Sequence, residues 1–199
     1  MSKPLIPPVG DQILRRGNVF TDAVARLLML VSGWRFEGTL PNLRKFVLIV
    51  APHTSNWDFP IGVMLMFALG IRGTFLGKDT LFKPPFGFYF RWLGGVSVDR
   101  SSPNNVVDQT IAYFHTREKM ILALSPEGTR KRIEKWRTGF YWVAVGAHVP
   151  IVPVVFDYPR KRCVIHAPET MTGDPETDIA HLRSFFKASY ACRPALYVE

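Results

Sequence analysis

The stretch that decides the fold is KFVLIVAPHTSNWDFPIGVMLMFALG, residues 45–70. It opens with KFVLIVA, a short apolar run rich in β-branched residues, which reads as a buried strand. It closes with IGVMLMFALG, an uncharged run of helical length. Between them lies APHTSNWDFP (51–60), which carries the titratable pair His53 and Asp58. Strand, polar loop and helix in succession form the unit from which parallel sheets are built. Two readings of the loop stand side by side. SNWD fits a capping box, with Ser55 as N-cap and Asp58 three residues on, which leaves His53 an incidental loop residue. Alternatively, a carboxylate just beyond a histidine orients its ring for proton transfer.

The same alternation continues outward. Upstream, residues 1–17 read as an irregular, proline-containing arm. NVFTDAVARLLMLVSGW reads as a helix, with Asn18 or Thr21 as N-cap and Gly33 as its stop. Its polar residues Asp22 and Arg26 share one face and the rest is apolar over a wide arc, which suits core packing or a membrane interface. WRFEG is a strand. Downstream, GTFLG is a short strand, PPFGFYFRWLGG an aromatic-rich helix or turn, and VSVDR a strand end. PNNVVDQTIAYFHTRE is a helix and KMILALSPEG a buried strand running into a loop. GFYWVAVGAH is a helix; VPIVPVVFDY and RCVIHA are strands. DPETDIAHLRSFFKASYACR is a C-terminal helix capped by Asp174. Strands alternating with helices predict one α/β domain with a mixed, largely parallel sheet flanked by helices.

Composition narrows the function. The 199 residues are 47% hydrophobic and 21% charged, which fits a folded globular chain and argues against disorder. A formal net charge of +9 favours anionic partners: nucleic acid, anionic lipid or phosphorylated small molecules. Cys163 and Cys192 form no CxxC, so no zinc site is expected and two free thiols are the simpler reading. MSKPLIPPVGDQILRR has prolines where a secretory signal would need an apolar core, so no signal peptide is expected. No apolar run reaches the roughly 20 residues of a spanning helix.

Several motifs fail. GIRGTFLGKDT has the wrong glycine spacing for a phosphate-binding loop and no Ser/Thr after Lys78. A G-x-S-x-G elbow is absent. The FGF of PPFGFYFR lacks the basic-glycine pair of an RNA-binding strand. What does not fail is a pattern of strand ends, where α/β sheets place their ligand sites. His53 and Asp58 follow one strand. Lys78 follows TFLG, Arg100 ends VSVDR, and Glu127 and Arg130 flank a glycine in SPEGTR after MILAL. Each cation alone reads as a solvated surface charge; together they outline an anion site beside a general base.

The ordered set HTSNWD, GGVSVDR, SPEGTR and VPIVPV resembles the four motifs of the glycerolipid acyltransferases, the family of 1-acyl-sn-glycerol-3-phosphate (lysophosphatidate) acyltransferases. His53 and Asp58 match the H-x4-D motif. Arg100 matches the arginine that ends the second motif. Glu127, Gly128, Thr129 and Arg130 match E-G-T-R, and Val149–Val154 matches the proline-containing strand of the fourth motif. LGKDTLFKPPFGFYFRWLGG resembles the segment between the first two motifs, with a lysine at Lys78. The resemblance covers roughly residues 34–157. Ser125 stands where the family often has phenylalanine.

The resemblance implies a glycerol-3-phosphate acyltransferase-like fold, with an arm and amphipathic helix over residues 1–33 and the catalytic domain over 34–199. It implies transfer of a fatty acyl group from acyl-CoA or acyl-carrier protein to the hydroxyl of a lysophospholipid, first of all 1-acyl-sn-glycerol-3-phosphate. His53 would be the general base and Asp58 its orienting partner, with no acyl-enzyme, no metal and no cofactor. Lys78, Arg100 and Arg130 would hold the acceptor's phosphate, with Gly128 and Thr129 part of the same substrate-binding motif. Glu127 would brace Arg130 or bond an acceptor hydroxyl. An apolar tunnel would take the acyl chain. Basic runs such as RKRIEKWR (130–137), with the aromatics around Arg91, suit attachment to an anionic membrane, on the cytoplasmic side of the inner membrane. A lyso-aminolipid acceptor is the alternative. A nucleic-acid-binding module would leave the ordered motifs unexplained, so no nucleic-acid partner is expected.

Overall fold

Seven strands form one sheet in the computed structural model, which describes residues 5–98 and 103–199, with Pro103 and Asn104 as backbone only. They are β1 (Arg35–Glu37), β2 (Lys45–Ala51), β3 (Gly73–Lys78), β4 (Gly95–Val98), β5 (Met120–Leu124), β6 (Ile151–Asp157) and β7 (Arg162–Ile165). Their order across the sheet is β1-β7-β6-β2-β5-β3-β4. All neighbours run parallel except β6 and β7, which are antiparallel. The expected mixed, largely parallel α/β sheet is therefore the observed architecture.

Helices cover both faces, as parallel strands require. They are α1 (Val19–Ser32), α2 (Asp58–Leu69), α3 (Gly87–Trp92), α4 (Pro103–Thr116), α5 (Gly139–Gly146) and α6 (Pro175–Arg183). Along β2 the side chains alternate between two cores. Val47, Ile49 and Ala51 pack with Phe114 of α4, Tyr141 and Val143 of α5, and Leu182 of α6. Phe46, on the opposite face, packs with Leu65 and Ala68 of α2 and with Ala25 and Met29 of α1. Both cysteines are free thiols.

The N-terminal segment joins this second core rather than trailing away. Asn18 and Thr21 cap α1 reciprocally, each side chain accepting the other's backbone N–H at 2.9 Å. Gly33 ends α1 in the left-handed region at φ 79°. The arm before α1 pairs with the end of α2: Arg16 N–H donates to Gly70 O and Arg72 N–H to Leu14 O, both at 2.9 Å.

The C-terminal helix departs from expectation. The sequence predicts one helix running on towards residue 193, but α6 stops at Arg183. Tertiary contacts outcompete local propensity. Phe186 turns inward against Trp136, with centroids 5.5 Å apart. The chain then bends back so that Tyr190 O can accept Tyr158 N–H at 2.9 Å.

Met29 is fully buried where α1 meets α2. Met29→Ala should lower unfolding stability by about 2–4 kcal/mol, measured by urea denaturation. A change near zero would mean that α1 adds nothing to the core.

Candidate active site

The strand order builds the site. β2 lies between β5 and β6, parallel to both, so three carboxyl ends emerge side by side. From β2 comes the loop with His53, from β5 the loop with Glu127, and from the end of β6 comes Tyr158. Each reaches the same point.

Asp58, the first residue of α2, is buried at 4% exposure. His53 Nδ1 lies 2.8 Å from its Oδ2. The same oxygen accepts Ser55 N–H at 3.0 Å, and Oδ1 accepts the Tyr158 hydroxyl. Both readings of the loop therefore coexist, with one adjustment. Trp57 rather than Ser55 occupies the cap position, and Ser55 Oγ accepts Trp57 N–H at 3.2 Å. Because a carboxylate only accepts, Nδ1 must carry the proton, and Nε2 is left as the basic nitrogen. Burial, then the bond to Asp58, holds the Tyr158 phenol well above its ordinary range, so it stays a donor.

Glu127 is buried at 2% exposure, and its Oε1 accepts His53 N–H at 2.6 Å. It thus clamps the β5 loop to the β2 loop and positions the backbone of the histidine. It does not brace Arg130, with which it forms no ion pair. The Arg130 side chain is exposed, whereas Glu127 is buried beneath the β2 loop's backbone donor. Burial raises the Glu127 carboxyl from 4.5 to about 7, although the bond from His53 opposes this.

The other motif residues fall into two groups. Gly128 is left-handed at φ 63°, and a Cβ there would meet Arg137 Cδ at 2.8 Å. Thr129 Oγ1 accepts Lys131 N–H at 3.2 Å. Gly128, Thr129 and Arg130 line one cavity with His53 and Asp58. Lys78 is not among the lining residues. It ends β3, exposed, in register with Val98 of β4, with β5 between it and β2. Arg100 lies outside the described residues.

The cavity holds about 1310 Å³. From His53 it runs between α2 and the sheet, past Gly62, Met66 and Leu69 on one side and Leu48, Val50 and Val154 on the other. Val107 of α4 with Phe140 and Val143 of α5 add further apolar lining. Such a space takes a long hydrocarbon chain. Among the described residues, no three His, Cys, Asp or Glu side chains converge to hold a metal ion.

The family model described as Acyltransferase matches residues 35–157. The chain belongs to the acyltransferase family. It is 28% identical over 175 residues to the 1-acyl-sn-glycerol-3-phosphate acyltransferase of Haemophilus influenzae, covering 77% of this chain and 71% of that one. It is 28% identical over 152 residues to the protein of the same name from Cocos nucifera, covering 71% of this chain. Here the chain spans about half of the relative's length, 47%. The crystal structure of the 1-acyl-sn-glycerophosphate acyltransferase from Thermotoga maritima shares the fold, with a TM-score of 0.60 at 21% identity over 83% of this chain and 75% of that one.

Three residues of this acyltransferase-family site escape sequence reasoning: Tyr158 beside Asp58, Arg137 against Gly128, and Tyr197, whose buried hydroxyl lies near Glu127. Only Tyr158 carries a usable signal, since it ends VPIVPVVFDY, the stretch that opens with the fourth motif.

The raised Glu127 carboxyl makes a stability prediction. The folded protein holds a proton that the unfolded chain releases near 4.5. That contribution is complete below 4.5 and lost as pH rises through about 7. Glu127→Gln keeps an acceptor for His53 N–H and removes the titration. Between about pH 5 and about pH 8, wild type should lose on the order of 2 kcal/mol relative to the variant in urea unfolding. Parallel pH profiles would place the proton elsewhere.

Proposed function

We propose that the chain is an O-acyltransferase that moves a fatty acyl group from an acyl thioester, acyl-CoA or acyl-carrier protein, to the free hydroxyl of a lysophospholipid. The first candidate acceptor is 1-acyl-sn-glycerol-3-phosphate, which would become phosphatidate. The observation that carries this reading is the His53–Asp58 pair at 2.8 Å, lining a large, mostly apolar cavity in a chain of the acyltransferase family.

In this reading the acceptor hydroxyl meets Nε2 of His53. As its oxygen attacks the thioester carbonyl, the proton passes to Nε2, and Asp58 stabilises the imidazolium through Nδ1–H. The tetrahedral intermediate collapses with cleavage of the C–S bond, and the leaving thiolate takes the proton back from His53. The two substrates exchange the acyl group directly, with no covalent enzyme intermediate and no metal or cofactor. Arg130 is the cation best placed for the acceptor's phosphate, where its planar fork can bind two oxygens. Lys78 and Arg100 join it in this reading as further cations around the acceptor, and Gly128 and Thr129 shape the loop that carries Arg130.

The reading places the enzyme on an anionic membrane surface, the cytoplasmic face of the inner membrane. Among the described residues, no helix is long and apolar enough to cross a membrane. α1 nevertheless exposes Val19 at 88%, Phe20 at 75% and Val31 at 79%, and Phe88 of α3 is 74% exposed. α1 packs on α2, and Phe67 of α2 meets Trp92 of α3 at 5.4 Å. These side chains suit an interface in which apolar and aromatic groups leave water while basic residues meet anionic headgroups.

Two measurements test the proposal. Thiol release from oleoyl-CoA should require lysophosphatidate, and His53→Ala should reduce it about a thousand-fold without unfolding the protein. A fully active His53→Ala would sink the mechanism, and acceptor-independent release would indicate a thioesterase. Separately, the protein should sediment with phosphatidylglycerol-containing vesicles. The double variant Phe20→Ser, Phe88→Ser should weaken that partitioning at least about ten-fold, since burying one phenylalanine is worth roughly 1.5–3 kcal/mol. Equal sedimentation of the two proteins would remove α1 and α3 from the contact.

A further inference from the structure

A second cavity, of about 290 Å³, lies against the β2 loop. It is lined by Thr54, Ser55, Asn56 and Trp57, and by two arginines from distant segments, Arg130 and Arg193. Its character is opposite to that of the apolar cavity, and Arg130 lines both. Arg193 lies beyond the family-matched residues 35–157. The segment that carries it is held in place: Arg193 N–H donates to Oγ1 of the buried Thr54 at 3.1 Å, and Tyr190 O accepts from Tyr158, the residue that also donates to Asp58.

Neither guanidinium has a carboxylate partner among the described residues. The nearby acids are already engaged, Asp58 by His53, Ser55 and Tyr158, and Glu127 by His53. Two arginines that line one small polar space carry like charges, which an anion bound there would offset. Arginine forks favour tetrahedral oxyanions, which they bind through paired N–H groups.

We propose that this polar cavity is a phosphate subsite and that Arg193, together with Arg130, reads the phosphate. The inference rests on the acyltransferase reading above. It adds that the C-terminal segment supplies a specificity residue. An acceptor whose phosphate sits between Arg130 and Arg193 has its glycerol beside His53 and its hydrocarbon directed to the apolar cavity.

Arg193→Gln keeps the backbone bond to Thr54, so the segment stays anchored. With oleoyl-CoA as donor, the KM for 1-oleoyl-lysophosphatidate should rise about ten- to hundred-fold while kcat stays within about two-fold. The KM for monooleoylglycerol, which has no phosphate, should not move. A rise confined to oleoyl-CoA, and absent with the N-acetylcysteamine thioester, would keep the subsite and assign it to the donor's phosphates. No change in any KM overturns the proposal. So does an equal change in Lys187→Gln, which removes one charge from an exposed position in the same segment. Titration with glycerol 3-phosphate, followed by phosphorus NMR, separates this idea from the reaction itself. If no acceptor is acylated but binding is lost in Arg193→Gln, the acyltransferase reading fails and the subsite stands. Equal binding by both proteins, or binding by neither, overturns the subsite.

Discussion

Burying a carboxylate such as Asp58 at the start of a helix costs several kcal/mol unless protein donors replace the lost water. Three donors meet it here: the His53 ring, the Ser55 backbone and the Tyr158 hydroxyl. Each comes from a different structural role. The ring belongs to the loop after β2, the Ser55 N–H lies just before α2, and Tyr158 follows the last residue of β6. The carboxylate thus fixes the tautomer of His53, the entry of the helix and the edge of the neighbouring strand at once. Losing any donor would leave charge exposed to an apolar core and loosen the other two.

That arrangement requires β2 to sit between β5 and β6 in parallel register. Val47 is paired with Leu122 on one side and Ile151 on the other, so the three strands end close together. An antiparallel neighbour would send its loop to the far end of the sheet. The clamp from Glu127 to the His53 backbone completes the frame, and it is built from the β5 loop alone. Both buried carboxylates therefore hold the histidine, Asp58 by its ring and Glu127 by its main chain.

Legibility in the sequence followed the range of the interactions. Strand, loop and helix around residues 45–70 were readable because their signals are local: apolar runs, cap residues and strand-end polarity. His53 and Asp58 were readable for the same reason, being five residues apart on one loop. Glu127 is legible as a strand-end residue, but its partner is not, because only strand order reveals that a β5 loop meets a β2 loop. Tyr158 is separated from Asp58 by 100 residues, and its role exists only once β6 lies beside β2. The end of α6 is not legible, because Phe186 and the bond from Tyr158 N–H to Tyr190 O override a segment that could continue as a helix. Lys78 shows that a strand end alone does not bring a residue to the cavity: Phe75 and Leu76 of β3 line it, whereas Lys78, at the end of the same strand, is exposed.

The composition of α2 gains its meaning from this geometry. An ordinary surface helix has one apolar stripe, but DFPIGVMLMFAL is apolar on nearly every side after its first residue. One face closes the cavity over Leu48 and Val50, and another packs on α1. Phe67 reaches α3, and Phe59 stacks edge-on against Phe75 of β3 at 5.3 Å. The helix therefore keeps little surface for water, with Phe59 and Pro60 in its first turn as its exposed positions, and its single acid is the one that holds His53. α2 is thus a wall shared between the cavity and α1, so its packing on α1 bears on the space beside the histidine. Where His53 is held by two buried carboxylates, that wall is the side of the site held by apolar packing.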